Sequence, residues 1–360
     1  MKIALVGYLH GSGGAERQII MLANALAAYN HDVYLLILAQ NNPCYEISDK
    51  VNRVVLTHCE KKYGVKIINR FLAYRNCIIK LQPDVTIHYW LQSAYFTAMI
   101  PSKKRGRIIY SERGDPYDSE YYGLLGIIRN VAFKQIDGFV FQSEGAKDFF
   151  DIKVKSRSII IHNSVSVPID RYLVPKVREQ RIVSVGRLHP QKNQKLLIDA
   201  FACISSKYPE YILDIYGDGV LQDYLENQIE KLNLKEKITI YNSRKDIFDC
   251  IRKASLFVLS SDYEGMPNAL MEAMALGLPC ISTDCRPGGA RTLIQDGENG
   301  FIVPTNDPKA LAEKIEYVLS HKQEADRVAL KAHDIMNTHT QQYIFDQWNS
   351  YIIQIVNKSM

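Results

Sequence analysis

The sequence predicts an α/β protein of two doubly wound, Rossmann-like domains facing a central cleft. Three observations carry that expectation. Short apolar runs alternate with amphipathic stretches along the chain, and the alternation happens twice. A polar, proline-marked connector at about Ser166 to Gln180 separates the two series. The chain has 360 residues, enough for two cores rather than one. The expected boundaries are 1–170 for the first domain, 171–340 for the second and 341–360 for a terminal helix.

The elements follow in order. KIALVG, a glycine-rich turn, a helix from Ala15 to Tyr29 and DVYLLIL make a βαβ start. Apolar runs that read as further strands come at VNRVVL, DVTIHYW, RIIYSE, GFVFQS and SIIIHNSV. The second series runs RIVSVG, YILDIYG, KITIYNS, ASLFVLS, PCISTD and GFIVP, and the last helix covers Gln341 to Lys358 with Trp348, Tyr351 and Ile352 on it. In such folds, ligands bind beyond the carboxyl ends of the strands.

Composition narrows the class of protein. A 47% hydrophobic content with mixed charge fits a soluble globular protein, and no apolar run approaches the roughly 18 to 20 residues of a membrane span. The opening MKIALVG reads as a first strand rather than a signal segment, because a glycine turn and a helix follow it. Seven scattered cysteines without Cys-x-x-Cys imply reduced thiols and a cytoplasmic protein, and Cys280 with Cys285 alone makes no metal site. The charge is uneven: residues 1–175 carry 22 basic and 15 acidic side chains, or +7, and the rest 22 and 24, or −2, which sum to the stated +5. The basic excess includes Lys61, Lys62 and Lys66 and the cluster Lys103, Lys104, Arg105 and Arg107. It fits either a solvated face or a domain that leans on anionic lipid. Without aromatic-rich nucleic-acid motifs, no nucleic-acid partner is expected.

The chemistry concentrates in SSDYEGMPNALMEAMALG. Glu264 and Glu272 stand eight residues apart across a loop that turns into a helix, with Gly265 and Pro267 as breakers and Asn268 as the expected N-cap. An anion on that helix N-terminus would meet backbone N–H groups, and the carboxylates could accept hydrogen bonds from sugar or ribose hydroxyls. Upstream, the strand ending at Gly186 empties into a loop carrying Arg187 and Lys192. Two cations there suit a diphosphate leaving group without a metal. The first loop, HGSGGAER, is not a dinucleotide fingerprint: Glu16 stands where a third glycine is needed, and LILAQNN ends the second strand without an acidic ribose ligand. A tight βα turn with no ligand is the plain alternative for it.

Taken together, Gly186, Arg187, Lys192 and the spacing of Glu264 and Glu272 resemble the retaining nucleotide-sugar glycosyltransferases of family 4. The likeness takes in the amino-terminal glycine loop and IYGDG (Ile215 to Gly219), and so covers most of the chain. No single motif is specific, but their order and placement are. The resemblance implies the two-domain GT-B fold, with the final helix returning to the first domain. It further implies that Arg187 and Lys192 stabilise the departing diphosphate, Glu264 holds donor-sugar hydroxyls and Glu272 binds the ribose. The backbone from Gly265 through Met266 and Pro267 to Asn268 would complete the donor site. Gly13 and Gly14 would let backbone approach the donor phosphates and acceptor, with Glu16 beside them. Asn163 matches the family position close to the donor, and Arg244 falls where relatives line the base pocket. Relatives often carry a histidine where this chain has Arg113, which puts a histidine-assisted role in doubt and leaves Arg113 to meet acceptor phosphate or sugar. Glu112 and Asp115 serve equally well as loop-fixing residues, and His10 and His88 read as structural. No convincing Asp-x-Asp triplet is present, so no metal or other cofactor is implied. The implied reaction is front-face transfer from a nucleotide-sugar, UDP-linked by similarity, to a polyprenyl-diphosphate-linked glycan in bacterial polysaccharide assembly, on the inner face of the cytoplasmic membrane. Two alternatives stay open: a small soluble acceptor, and a non-catalytic nucleotide-sugar-binding peripheral membrane module.

Overall fold

The computed structural model describes residues 1–9, 11, 13–40, 45–56, 65–118, 122–168, 171–172, 174–175 and 177–358. His10, Lys61 and Lys62, and the side chain of Lys66, lie outside the described residues. The chain divides into two compact units, Met1–Ser164 with Gln342–Met360, and Val165–Gln341.

The first unit contains β1 (Lys2–Leu9), α1 (Gly14–Ala28), β2 (Asp32–Gln40), β3 (Asn52–Val55), α2 (Val65–Leu81), β4 (Val85–His88) and α3 (Leu91–Ala98). It continues with β5 (Arg107–Ser111), α4 (Gly123–Phe133), β6 (Gly138–Phe141), α5 (Glu144–Asp148), α6 (Ile152–Lys155) and β7 (Ser158–Ile160). The second unit has β8 (Glu179–Val185), α7 (Gln194–Ile204), β9 (Ile212–Tyr216), α8 (Gln222–Lys231), β10 (Ile238–Tyr241), α9 (Ile247–Ile251) and β11 (Ala254–Leu259). Then come α10 (Asn268–Ala275), β12 (Cys280–Thr283), α11 (Gly289–Leu293), β13 (Phe301–Val303), α12 (Pro308–Ser320), α13 (Lys322–His333) and α14 (Ile335–Thr338), and the chain returns to the first unit as α15 (Gln341–Asn357).

Both sheets are parallel and doubly wound. The first runs β3-β2-β1-β4-β5-β6-β7 and the second β10-β9-β8-β11-β12-β13. Because helices cover both faces, the strands read as continuous apolar runs instead of alternating ones. In β1, Ile3 and Leu5 point to a core shared with α1 and α15. Ala4 and Val6 point the other way, to Tyr74 and Ile78 of α2 and Phe96 of α3. The second sheet repeats the arrangement, with Leu256 and Val258 of β11 on one core and Phe257 and Leu259 on the other.

Helix α15 is part of the first unit's core. Trp348, Tyr351, Ile352 and Ile355 are buried in it, and the Tyr351 hydroxyl accepts from Phe139 N–H at 3.0 Å and donates to Arg157 O at 2.9 Å. A Cβ on Gly138 would sit 2.6 Å from that hydroxyl, so β6 needs glycine there. At the crossing between units, Val165 N–H bonds His339 O at 2.9 Å. The chain therefore joins the second unit at Val165, upstream of the 170/171 boundary expected from composition.

The basic cluster is not what the sequence suggested. Lys103 and Lys104 are exposed, but Arg105 is only 3% exposed and bonds Gln135 through its backbone and side-chain oxygens. Arg107 pairs with Asp137 at 2.8 Å and with Lys358 O. The buried Arg105 turns to carbonyl partners and the half-buried Arg107 to a carboxylate, so neither stands free beside the lysines. No described helix is long and apolar enough to cross a membrane.

Candidate active site

In the second unit, β8 and β11 are the neighbours at which strand order reverses, the place where doubly wound sheets leave a crevice at their carboxyl ends. The loops that leave these two strands carry the predicted cations and Glu264. They are tied together by hydrogen bonds from Asp262 N–H to Gln191 O at 2.9 Å, Gln191 Nε2 to Tyr263 O at 2.9 Å and Ser260 Oγ to Lys192 O at 3.0 Å. Asn193 is left-handed at φ 42°, caps α7 by accepting from Leu196 N–H at 3.3 Å and donates to Asp262 at 2.8 Å.

Across this seam Lys192 Nζ pairs with Glu264 Oε1, and Ser261 Oγ donates to the same oxygen at 2.7 Å. The Lys192 stem passes over Gly186, where a Cβ would lie 3.3 Å from its Cδ and Cε; glycine is what lets the ammonium reach the carboxylate. The side chains of Lys192 and Glu264 are 16% and 8% exposed. Little water screens the pair, so each charge depends on the other. An ammonium has three donors, and a Lys192 held by Glu264 can still face a phosphate. Under the loop, a Cβ on Gly289 would stand 1.9 Å from Gly265 O, so α11 requires glycine to support the turn before α10.

Helix α10 begins one residue earlier than expected. Pro267, extended at φ −77° and ψ 98°, is the N-cap, and no side chain caps the helix. Asn268 is the first helical residue, not the cap, because the proline ring already sets the entry angle. Pro267 has no N–H, so within the expected stretch from Gly265 to Asn268 it can offer no donor. Glu272 is buried, and its Oε1 accepts from Ser166 Oγ at 2.7 Å.

The other predicted residues separate. Arg187 is exposed, with Nη2 3.4 Å from Gln191 Oε1, and so differs from the enclosed Lys192. Arg244 is committed to Asp246 through two contacts of 2.8 and 2.7 Å, which hold that carboxyl down to about 2. The buried Cys285 thiol is pushed up to about 12, by desolvation first and by the Glu264 charge second.

The first unit holds its own group. Glu16 accepts from Gly11 N–H at 3.0 Å and supports the loop before Gly13, the N-cap of α1, and Gly14, its first residue. Arg113 lies over the Tyr89 ring at 3.9 Å and donates to Asn163 Oδ1 at 2.7 Å, which also accepts from Gln142 at 2.6 Å. Asn163, expected with the donor residues, and Arg113, expected with the acceptor, therefore form one hydrogen-bonded group. Arg113 Nε and Nη2 are buried with no hydrogen-bond partner among the described residues. Glu112 accepts from Gly114 N–H at 2.9 Å and Asp115 from Tyr117 N–H at 3.0 Å, the loop-fixing role. His88 is fully buried between Ser93 Oγ at 2.9 Å and Thr97 Oγ1 at 3.0 Å, and burial pulls its pKa down to about 3.

The sequence reading did not single out Gln191, Asn193, Ser261 or, as a partner of Glu272, Ser166. Asn193 had a local signal, an Asn just ahead of an amphipathic run. Gln191 and Ser166 serve through contacts distant in sequence and had none, whereas Ser261 stands only three residues before the Glu264 it bonds.

Comparison with known proteins bears on the family and the fold. The family profile described as Glycosyl transferases group 1 matches residues 170–334, and that of Glycosyltransferase Family 4 matches residues 12–167. Two Campylobacter jejuni proteins are similar over most of their length. One is the GalNAc-alpha-(1->4)-GalNAc-alpha-(1->3)-diNAcBac-PP-undecaprenol alpha-1,4-N-acetyl-D-galactosaminyltransferase, 26% identical over 99% of this chain and 99% of its own. The other is the N-acetylgalactosamine-N,N'-diacetylbacillosaminyl-diphospho-undecaprenol 4-alpha-N-acetylgalactosaminyltransferase, 27% identical over 88% of this chain and 90% of its own. Among solved structures, HepE of Anabaena in complex with UDP-glucose superposes with a TM-score of 0.82 at 19% identity, over 98% of this chain and 100% of that one. Two parallel-sheet units, profiles that between them span most of the chain and relatives matched along most of their length place it in one group: the chain belongs to the family 4 glycosyltransferases and has their GT-B fold.

Proposed function

We propose that the chain moves a sugar from a UDP-sugar to a glycan carried on a polyprenyl diphosphate, with retention of configuration at the transferred carbon. The observation that carries the proposal is the Lys192 and Glu264 pair, held by Ser261 at the strand-order reversal of the second unit. In this reading Lys192, with Arg187, takes up the charge that develops on the departing diphosphate. Glu264 holds a donor-sugar hydroxyl, Glu272 the ribose, and the N–H groups of Gly265, Met266 and Asn268 the phosphate and sugar oxygens. Arg244 borders the base. The sugar–phosphate C–O bond breaks and a C–O bond to the acceptor hydroxyl forms on the same face, while the acceptor proton passes to the departing phosphate oxygen. The charge is met by side chains, so the reaction calls for no metal.

The first unit serves the acceptor and the phosphates. Gly13 and Gly14 give backbone access, Glu16 fixes their loop, and the buried unpartnered Nε and Nη2 of Arg113 suit an acceptor anion. The names of the two Campylobacter proteins include an undecaprenol-linked glycan, and the HepE structure contains UDP-glucose; both support the substrate classes. Such an acceptor would hold the protein peripherally on the inner face of the cytoplasmic membrane. The test is incubation with a panel of UDP- and GDP-sugars and undecaprenyl-diphosphate-linked saccharides, reading nucleoside diphosphate release and the anomeric configuration of the product. UDP release with an α-linked product from an α-linked donor is expected. Turnover only with soluble saccharides, or donor binding without release, would overturn the reading.

A further inference from the structure

The backbone that carries Glu264 is fixed on both sides. Asp262 N–H bonds Gln191 O at 2.9 Å, and Glu264 N–H bonds Arg286 O at 2.8 Å. Thr283 Oγ1 donates to Ser261 O at 2.5 Å, which ties the loop after β11 to the last residue of β12. Ser261 and Thr283 are fully buried, and Glu264 is 6% exposed. With its main chain held, Glu264 keeps only its side-chain torsions, and these decide what the carboxylate can meet.

The two oxygens of that carboxylate are not used alike. Lys192 Nζ and Ser261 Oγ both bond Oε1. A carboxylate has about four lone-pair sites, shared equally between its oxygens, so these two donors occupy Oε1. Oε2 has no hydrogen-bond partner among the described residues and is not one of the atoms sealed from solvent. An ammonium facing a carboxylate alone has no reason to prefer one oxygen, because both carry the charge. The asymmetry therefore comes from Ser261, whose hydroxyl stands 2.7 Å from Oε1 on a backbone that Thr283 holds in place.

We propose that Ser261 is a positioning residue. It turns Glu264 so that Lys192 meets Oε1, and Oε2 is left to accept a hydrogen bond from one hydroxyl of the donor sugar. Without the Ser261 hydroxyl the carboxylate would rotate to give Lys192 both oxygens, the charge-assisted contact being the stronger of the two, and neither would remain for the sugar. The Lys192 charge would still be balanced; the sugar hydroxyl would lose its acceptor. What Ser261 does to the carboxylate is independent of any substrate, but its effect on transfer rests on the donor-sugar role proposed for Glu264 above.

Two measurements test it. In a crystal structure of Ser261→Ala, Lys192 should bridge both oxygens of Glu264; a carboxylate left in its present orientation would overturn the proposal, whatever the protein transfers. In assays with UDP-sugars and undecaprenyl-diphosphate-linked saccharides, Ser261→Ala should lower kcat about tenfold, the scale of one charge-assisted hydrogen bond, and leave the affinity for UDP unchanged. Ser261→Thr, which keeps the hydroxyl, should restore most of the rate. Loss of UDP affinity together with kcat, or no rescue in a folded threonine variant, would assign Ser261 to packing alone. Mono-deoxy forms of the donor sharpen the test. One of them should cost the parent about tenfold and cost Ser261→Ala nothing further, because both changes remove the same contact; losses that add would overturn the proposal. If the parent turns over no UDP-sugar, the donor reading falls, and the crystal structure still decides this inference.

Discussion

The two units share one strand order over six strands, with β7 added at the edge of the first, and hold His88 and Glu264 in different ways. In the first, buried polar groups bond to one another: His88 to Ser93 and Thr97, and Arg113 to Asn163. These contacts fix the unit from within. In the second, Glu264 and Glu272 are buried near the carboxyl end of the sheet, held by the hydroxyls of Ser261 and Ser166 and, for Glu264, by one ammonium. A hydroxyl can turn and an ammonium can exchange partners, whereas a histidine bonded on both ring nitrogens cannot move without losing both bonds. The same fold thus closes His88 off with its partners in the first unit, beside an Arg113 that keeps two nitrogens unpartnered, and in the second sets a carboxylate against an ammonium and a hydroxyl.

The sharpest way to break that comparison is to remove the second unit's cations. Lys192→Ala should lower kcat/KM by about 10²-fold or more, equivalent to roughly 3 kcal/mol. It also leaves Glu264 buried without its cation, so the melting temperature should fall. Arg187→Ala, at an exposed position, should lose activity by a similar factor and keep its melting temperature. Near-normal steady-state kinetics in both variants would remove the leaving-group assignment. A smaller effect is expected at Glu272: Glu272→Gln should weaken nucleoside diphosphate binding by about tenfold in calorimetric titration, the cost of a charge-assisted hydrogen bond. Glu264→Gln should leave that affinity alone and impair transfer; the reverse pattern would exchange the two roles.

In the first unit the expected signal is stability against pH. An unfolded histidine takes up its proton near pH 6.5, while buried His88 resists until about 3. Between these values the unfolded chain binds more protons, so stability is fully present above 6.5 and is lost as pH falls through the window. The loss approaches about 1.4 kcal/mol per pH unit at most. Urea unfolding at several pH values should show a steeper acid loss in the parent than in His88→Gln, and equal slopes would remove His88 from the account. The smallest expected effect is none: chelation with EDTA should leave the initial rate of transfer unchanged, and a loss restored by one divalent ion would require a metal in the mechanism.

The repeated strand–helix alternation was legible because strands covered on both faces keep unbroken apolar runs, as in KIALVG and ASLFVL. Glu264, Glu272, Arg187 and Lys192 were legible as a pattern of spacing. What they touch was not. Nothing local to Ser166 points to Glu272, which lies more than a hundred positions on, and nothing in the run of Lys103 to Arg107 tells that the arginines turn inward while the lysines do not. That sorting is made by Gln135 and Asp137, which reach the arginines only once β5 and β6 have paired. The start of α10 was misplaced by one residue because Asn268 is a good cap in isolation, and the proline ahead of it had already taken the position.

Helix α15 also bears on the order of events at the ribosome. The second unit is finished when residue 341 has emerged, but the first still lacks Trp348, Ile352 and Ile355, which fill its core against β1, β4 and β5. The half that is synthesised first thus cannot complete its core without the segment synthesised after the second. Until then α1 packs on that face of the sheet without its partner helix.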